Sequence, residues 1–175
     1  MTNELQTAIS RGPCPSLPQL AGRYLEEYLA KIRASVERLD EGQVWWRPRS
    51  DANSVGNLLL HLRGNLSLWI LHGLGGDEVH RQRSAEFAAD RSQSKAELID
   101  GLERAVDACL EVLAEVDEEA LATHLSLQTY STDRLGALFH AVEHMAYHTG
   151  QIVWIVKELD RSAERLEFYP QHAGE

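Results

Sequence analysis

Three histidines recur at intervals of four residues near the C-terminal end of the chain, at His140, His144 and His148. Residues four apart lie on the same face of an α-helix, so His144 and His148 present their imidazoles one turn apart. Two imidazoles rarely hold a divalent ion against water, and His61, in a second apolar helical segment, is the candidate third ligand. Three neutral imidazoles with a vacant coordination position are typical of a reactive metal site. The pattern therefore favours one divalent ion held by His61, His144 and His148.

The position of each histidine relative to the apolar arc of its helix distinguishes the three. At about 100° per residue, the arc of the last helix is centred near Met145 and Ile152. His144 and His148 border this arc, whereas His140 lies further round, nearer the surface or a pocket rim. A histidine on an apolar face is usually a hydrogen-bonded core residue, so that alternative stays open for His144 and His148. We expect His140 to be either a pocket-lining proton carrier or a surface residue.

Two polar residues of the same helix are further pocket candidates. Glu143 points about 100° away from His144, so we expect a solvated or supporting carboxylate rather than a metal ligand. Gln151 follows His148 by nearly one turn. It either hydrogen-bonds near the site or packs at a helix contact.

Two asparagines flank His61 at a distance of one turn on either side, Asn57 and Asn65. Either they orient His61 or a substrate, or they make capping and inter-helix hydrogen bonds. No unmistakable general base or nucleophile accompanies the histidines. The catalytic residues of an enzyme built on this site therefore stay unassigned at the level of sequence.

Hydrophobic periodicity predicts the elements that position these residues. Apolar residues repeat at helical spacing in four segments, at about 16–39, 54–71, 94–113 and 134–159. Ser54 can cap the second segment, and the glycines beyond residue 72 can end it. Because no convincing set of strands accompanies these segments, we predict an all-α protein, a four-helix bundle.

The connections between the helices give weaker signals. Residues 76–92 are polar and irregular, residues 117–123 suit a short helix, and residues 125–130 suit an extended piece. The basic residues of 76–92, Arg81 among them, alternate with acidic ones, and we interpret them as solvated. We divide the chain into a flexible N-terminal arm at 1–17, the bundle at 18–160 and a C-terminal tail at 161–175.

Composition excludes several classes of protein. The 175 residues carry 17 Lys and Arg against 27 Asp and Glu, a formal net charge of −10, which disfavours nucleic-acid binding. The chain has no apolar stretch long enough for a membrane span and no N-terminal secretory pattern, so we expect a cytoplasmic protein. The two cysteines, Cys14 and Cys109, indicate neither a disulfide framework nor a cysteine-based zinc site.

Two sequence motifs resemble those of the DinB/YfiT-like superfamily. The first spans residues 45–65 and contains WWRP, NSVGNLLLHL and GN, and the second spans residues 140–152 and reads HAVEHMAYHTGQI. The resemblance implies a four-helix bundle in non-sequential order with long crossover connections, often assembled as a homodimer. It also implies one zinc or nickel ion per chain, held by one histidine of the second helix and two of the last. Those positions correspond to His61, His144 and His148.

The motifs and the resemblance together favour a metal-dependent enzyme that acts on a small molecule. Characterised members of the superfamily include transferases and isomerases that use thiols such as mycothiol or bacillithiol. The resemblance therefore implies detoxification by S-transfer, with a low-molecular-weight thiol as cosubstrate. Metal-dependent hydrolysis is the first alternative, because the same vacant position can activate water. The alternatives from other classes are a non-enzymatic, dimeric, stress-associated metal-binding bundle, and a metal carrier or sensor without turnover.

Overall fold

The computed structural model describes residues 14–162 and 166–168, which are mostly helical. The α-helices are α1 (Leu17–Val36), α2 (Glu41–Val44), α3 (Val55–Leu66), α4 (Arg83–Ala88), α5 (Lys95–Glu115) and α6 (Arg134–Leu159). None of them combines the length and the apolar character that crossing a membrane requires. Most of the arm predicted at 1–17 and most of the tail predicted at 161–175 lie outside the described residues.

Each long helix begins at a side chain that caps its first turn. Ser16, Ser54 and Ser94 precede α1, α3 and α5, and each accepts a hydrogen bond from the backbone amide three residues later, within a capping box. Asp133 caps α6 by accepting from the backbone amide of Gly136. A cap of this kind stabilises a helix by about 1 kcal/mol, so local sequence determines where the four long helices begin.

The long helices α1, α3, α5 and α6 pack as a four-helix bundle. Both α1 and α3 pack against α5 and against α6, so α1 lies diagonally opposite α3, and α5 lies opposite α6. The connections at 37–54 and 116–133 therefore cross the bundle. The largest fully buried side chains include one or more from each long helix, among them Leu25, Leu62, Leu102 and Met145. This is the predicted all-α four-helix bundle with long crossover connections.

The second long helix changes its winding before it ends. Periodicity predicts a regular helix over 54–71, but the α-helix ends at Leu66 and continues as a π-helical segment, Ser67–His72. The wider winding is visible in the hydrogen bond from the backbone amide of Gly73 to the carbonyl of Leu68, at 3.1 Å. Segments of this kind occur frequently at functional sites.

Three short elements precede α6: a 3-10 helix (Glu118–Ala122) and the antiparallel strands β1 (His124–Leu127) and β2 (Tyr130–Asp133). The 3-10 helix occupies most of the segment 117–123 that was expected to be helical. The extended piece expected at 125–130 is confirmed in part: residues 125–127 and Tyr130 lie in strands, but the chain reverses between them at Gln128, which has a positive φ of 51°.

The connection between α3 and α5 is not irregular throughout, because it contains α4 and lies against α3. The side-chain amide of Asn57 donates to the carbonyls of Glu86, at 2.9 Å, and Ala89, at 2.8 Å. The guanidinium of Arg47 donates to the same Ala89 carbonyl at 3.0 Å. Six residues are too few for a stable isolated helix, so these hydrogen bonds hold α4 in place. As a result, α4 lies beside the part of α3 that contains His61.

Candidate metal centre

His61 of α3 and the pair His144 and His148 of α6 meet where the two helices face each other. Nε2 of His61 lies 2.8 Å from Nε2 of His144, and one ring nitrogen from each of the three lies within 4.8 Å of the others. The ring of His148 lies 5.1 Å from that of His61, measured between centroids. His61 and His148 are buried, and His144 is half-buried. Three imidazoles gathered in this way could hold one divalent ion.

A buried ion pair orients the ring of His61. Nδ1 of His61 donates to Oε2 of Glu86 at 2.8 Å, and Arg81 donates to both oxygens of that carboxylate, at 2.7 and 2.9 Å. Burial alone would raise the pKa of Glu86, but hydrogen bonds from His61 and Arg81 and the charge of Arg81 lower it below its usual value. Nη2 of Arg81 also lies 3.0 Å from Nδ1 of His61. Because the carboxylate of Glu86 can only accept, we assign the proton of the neutral His61 ring to Nδ1 and its lone pair to Nε2, which faces His144.

Gln151 orients His148 in a similar way. Nδ1 of His148 donates to Oε1 of Gln151 at 2.7 Å, which leaves the lone pair on Nε2. A proton on Nε2 of His144 can satisfy only one of the lone pairs on His61 and His148, whereas a divalent ion could accept electron pairs from all three rings. The three ring nitrogens therefore fit a bound metal ion better than a set of hydrogen bonds among the histidines alone.

Burial keeps the imidazoles of His144 and His148 neutral, which is the form that binds metal. Burial, followed by the neighbouring His148 and His61, lowers the pKa of His144 from 6.5 to about 3. The pKa values of His148 and His140 are lowered as well, in both cases chiefly by burial. Neutral rings therefore predominate at physiological pH.

His140 lies beside the cluster and contacts it. Its ring centroid is 5.0 Å from that of His144 and 4.4 Å from that of Trp69 in the π-helical segment. Its Nδ1 lies 3.5 Å from a carboxylate oxygen of the exposed Glu143. His140, Glu143 and His144 form a second, more exposed group of donor atoms within 4.8 Å of one another, which shares His144 with the first group. Glu143 thus lies at the surface beside the site.

The two asparagines of α3 have different surroundings. Oδ1 of the fully buried Asn57 accepts from the backbone amide and the hydroxyl of Ser54, at 3.1 and 2.7 Å, and its amide holds the backbone of α4. Nδ2 of Asn65 lies 3.3 Å from Nε2 of His140. Oδ1 of Asn65 is buried and has no hydrogen-bond partner within the part of the chain that the structure describes. Asn65 therefore contacts the rim of the cluster, whereas Asn57 acts on it only through α4.

Arg81 and Glu86 are the two residues of this site that sequence reasoning misses. Their side chains are only 7% and 11% exposed, so the interpretation of Arg81 as solvated is wrong. Glu86 follows His61 by 25 residues in a segment without hydrophobic periodicity, and no spacing rule connects the two. The available signal is chemical: a metal-binding histidine needs an acceptor for its second ring nitrogen.

A cavity of about 420 Å³ lies next to the cluster. Tyr147 and Gln151, both of which contact His148, form part of its wall, and Trp154 and Pro48 form another part. Trp154 is 58% exposed, so this wall is open to solvent. The cavity falls within the size range of small-molecule sites, about 300–1,000 Å³.

The helical bundle defines the class of protein, because its fold is that of the DinB-like proteins. Residues 19–166 match the family described as "Protein of unknown function (DUF1572)", which is a DinB-like family, and the chain belongs to it. A comparison with curated proteins finds no match.

Solved structures with the same fold come from several proteins. A conserved protein from Enterococcus faecalis has a TM-score of 0.67 and 18% identity, over 82% of this chain and 97% of that chain. A DinB-like protein from Bacillus subtilis has a TM-score of 0.64 and 14% identity, over 83% and 95%. A mutant of a mycothiol-dependent maleylpyruvate isomerase has a TM-score of 0.60 and 12% identity, over 82% and 67%. At these identities the similarity shows a shared fold.

Proposed function

We propose that the protein is a metal-dependent enzyme that transfers the sulfur of a low-molecular-weight thiol to a small electrophilic molecule. The observation on which the proposal rests is the convergence of three imidazoles from α3 and α6, two of them oriented by Glu86 and Gln151. A set of three neutral imidazoles leaves a coordination position that the protein does not fill.

His61, His144 and His148 would hold one zinc or nickel ion, since imidazole suits both metals. When bound, such an ion lowers the pKa of a coordinating thiol or water enough for deprotonation near neutral pH. The protein supplies the orientation of the rings. Phe87 of α4, whose ring centroid is 4.6 Å from that of His61, covers one side of the cluster and limits the access of water there.

His140 is placed to accept the proton that a thiol loses and to pass it on, because burial disfavours retention of the proton on its ring. Its ring is neutral because burial lowers its pKa, and it lies 5.0 Å from the ring of His144. Once Nε2 of His140 carries the proton, it could donate a hydrogen bond to Oδ1 of Asn65 after rotation of that amide. This oxygen has no other hydrogen-bond partner in the described chain. The exposed Glu143 at Nδ1 would stabilise the resulting cation.

Two observations favour a thiol as the cosubstrate. One solved structure with this fold is that of a mycothiol-dependent isomerase. The cavity whose wall contains Tyr147 and Gln151, both of which contact His148, could hold a small molecule beside the cluster. Neither observation identifies the electrophile, so the test must use a panel.

The test combines metal analysis with an activity screen. Protein purified without an affinity tag should contain about one divalent ion per chain, because three imidazoles form one site. A panel of low-molecular-weight thiols with electrophilic acceptors should show turnover that a chelator abolishes and that added zinc or nickel restores. His61→Ala and His144→Ala should lose both the metal and the turnover. His124→Ala, which removes an exposed histidine of the hairpin, should keep both.

Other results of these experiments would indicate a different function. Chelator-sensitive hydrolysis in the absence of any thiol would replace S-transfer with the hydrolase alternative. Bound metal that exchanges readily and supports no turnover would indicate a carrier or a structural bundle. Full metal content in both His61→Ala and His144→Ala would refute the ligand assignment.

A further inference from the structure

We propose that the buried pair Arg81–Glu86 positions His61 in the metal centre, and that Gly64 is the gap through which the pair reaches it. The inference rests on the proposed metal centre for its effect on affinity. It adds residues from the connection between α3 and α5, which the sequence motifs of the histidine site do not include.

The contacts form a continuous chain from Arg81 to the candidate metal ligand. Arg81 binds the Glu86 carboxylate through Nε at 2.7 Å and Nη2 at 2.9 Å, and Glu86 accepts from Nδ1 of His61 at 2.8 Å. All three side chains are nearly buried, with exposed fractions of 7%, 11% and 4%. Because Arg81 engages both oxygens, Glu86 is held in one orientation toward His61.

The backbone of α4 brings Glu86 to this place independently of the carboxylate. Asn57 donates to the carbonyls of Glu86 and Ala89, and Arg47 donates to Ala89 as well. These bonds involve main-chain carbonyls, so substitution of the Glu86 side chain leaves them intact. Variants at Glu86 therefore test the carboxylate rather than the placement of α4.

Gly64 makes the close approach possible. A Cβ atom at this position would overlap Oε1 of Glu86 and would lie 2.9 Å from Nε of Arg81. Gly150 of α6 provides a matched comparison, because a Cβ atom there would have no neighbour within 4 Å. The same substitution should therefore disturb the ion pair at Gly64 and leave it unchanged at Gly150.

The expected role is to fix the tautomer and orientation of His61. An acceptor at Nδ1 keeps the proton there and leaves Nε2 free, and a carboxylate acceptor also makes the ring more basic. Loss of such a supporting partner typically lowers metal affinity by about 10- to 100-fold. The role is one of positioning, since neither Arg81 nor Glu86 needs to touch the metal or a substrate.

The experiment measures zinc affinity by competition with a chelator in the full-length protein. Glu86→Ala should bind zinc about 10- to 100-fold more weakly, and Glu86→Gln, which keeps an amide oxygen as acceptor, should recover part of the loss. Gly64→Ala should weaken binding in the same direction, whereas Gly150→Ala should not. Asp160→Asn is the control for ion-pair loss, because Asp160 pairs with Arg38 at 2.8 Å and is 13% exposed, away from the histidines.

A second measurement uses the metal-free protein. Long-range proton–nitrogen spectra of the imidazoles should show the Nδ1–H tautomer of His61 in the wild type and in Asp160→Asn, and a changed tautomer population in Glu86→Ala. Unchanged zinc affinity and an unchanged tautomer in both Glu86→Ala and Glu86→Gln would overturn the proposal. If the wild type binds no zinc, the proposed function fails, and the tautomer measurement alone then decides whether Glu86 positions His61.

Discussion

Asn57 connects the cap of α3 to the position of α4, and two substitutions can separate these contributions. Its Oδ1 accepts from the backbone amide of Ser54, and its Nδ2 donates to the carbonyls of Glu86 and Ala89. Asn57→Ala removes the acceptor and the donor together. Asn57→Asp keeps the acceptor of the cap and replaces the donor with a second oxygen, which faces the carbonyl oxygens of Glu86, Phe87 and Ala89.

The structure gives the size of each effect. Loss of the cap interaction costs about 1 kcal/mol, and a buried carbonyl left without its donor costs about 1–3 kcal/mol. Ala89 keeps its bond from Arg47, so only the Glu86 carbonyl is left without the donor that Asn57 provides. We therefore expect Asn57→Ala to lower the free energy of unfolding by about 2–4 kcal/mol, and Asn57→Asp, which keeps the cap, to lower it by about 1–3 kcal/mol.

The assay is urea unfolding of the metal-free protein, combined with amide hydrogen exchange. Both variants should exchange faster than the wild type over residues 83–90, whereas only Asn57→Ala should exchange faster in the first turn of α3. Gln19→Ala is the matched control, because Gln19 holds the same position in the capping box of α1 and is exposed. It should cost about 1 kcal/mol. Wild-type stability in Asn57→Asp, or unchanged exchange over 83–90 in both variants, would refute the reasoning.

Three further predictions concern stability. Added zinc at 100 times its dissociation constant should stabilise the wild type by about 2.7 kcal/mol, which raises Tm by about 5–10 °C. Calorimetry should show the same rise in His124→Ala and no rise in His148→Ala. Gly150→Ala should raise the free energy of unfolding by up to about 1 kcal/mol in urea titrations, because alanine favours the helix and a Cβ atom there meets nothing. The third prediction is a pH dependence. Hydrogen bonding to Arg38 lowers the pKa of Asp160 from 3.8 to about 2. The contribution of Asp160 to the free energy of unfolding is therefore present above pH 3.8 and lost as the pH falls toward 2. The difference in urea midpoint between wild type and Asp160→Asn should therefore shrink over that interval, and a constant difference would contradict it.

The parts of the fold that sequence predicts are those with local or periodic signals. Ser54 and Ser94, each followed by a side chain that completes a capping box, mark the starts of α3 and α5. Apolar spacing over some twenty residues reveals the long helices. The π-helical segment at 67–72 is not predicted, because six residues are too few to show a change of period, and of the hairpin at 124–133 only an extended piece at 125–130 is predicted. The diagonal order of the helices is not local at all, and only the family resemblance implied it.

The residues of the site likewise fall into those that local sequence places together and those that meet only through packing. His144, His148 and Gln151 lie within two turns of one helix, so spacing alone places them near one another. His61 and Glu86 do not share an element, and their contact depends on where the α3–α5 connection packs. That packing is determined by hydrogen bonds from Asn57 to main-chain carbonyls, which any residue type provides. A pattern of side chains cannot reveal a contact whose acceptors belong to the backbone.

The face of α3 toward α4 shows how one helical stripe can build a site. Ser54, Asn57, His61 and Gly64 follow one another at intervals of three or four residues, so they lie on the same side of the helix. In order, they cap the helix, hold α4, offer an imidazole and leave room for the carboxylate of Glu86. A shift of the stripe by one residue would turn the imidazole about 100° away from Glu86. The placement of α4 and the affinity of the proposed metal centre are therefore coupled, and a substitution that frees α4 should weaken metal binding while all three histidines remain.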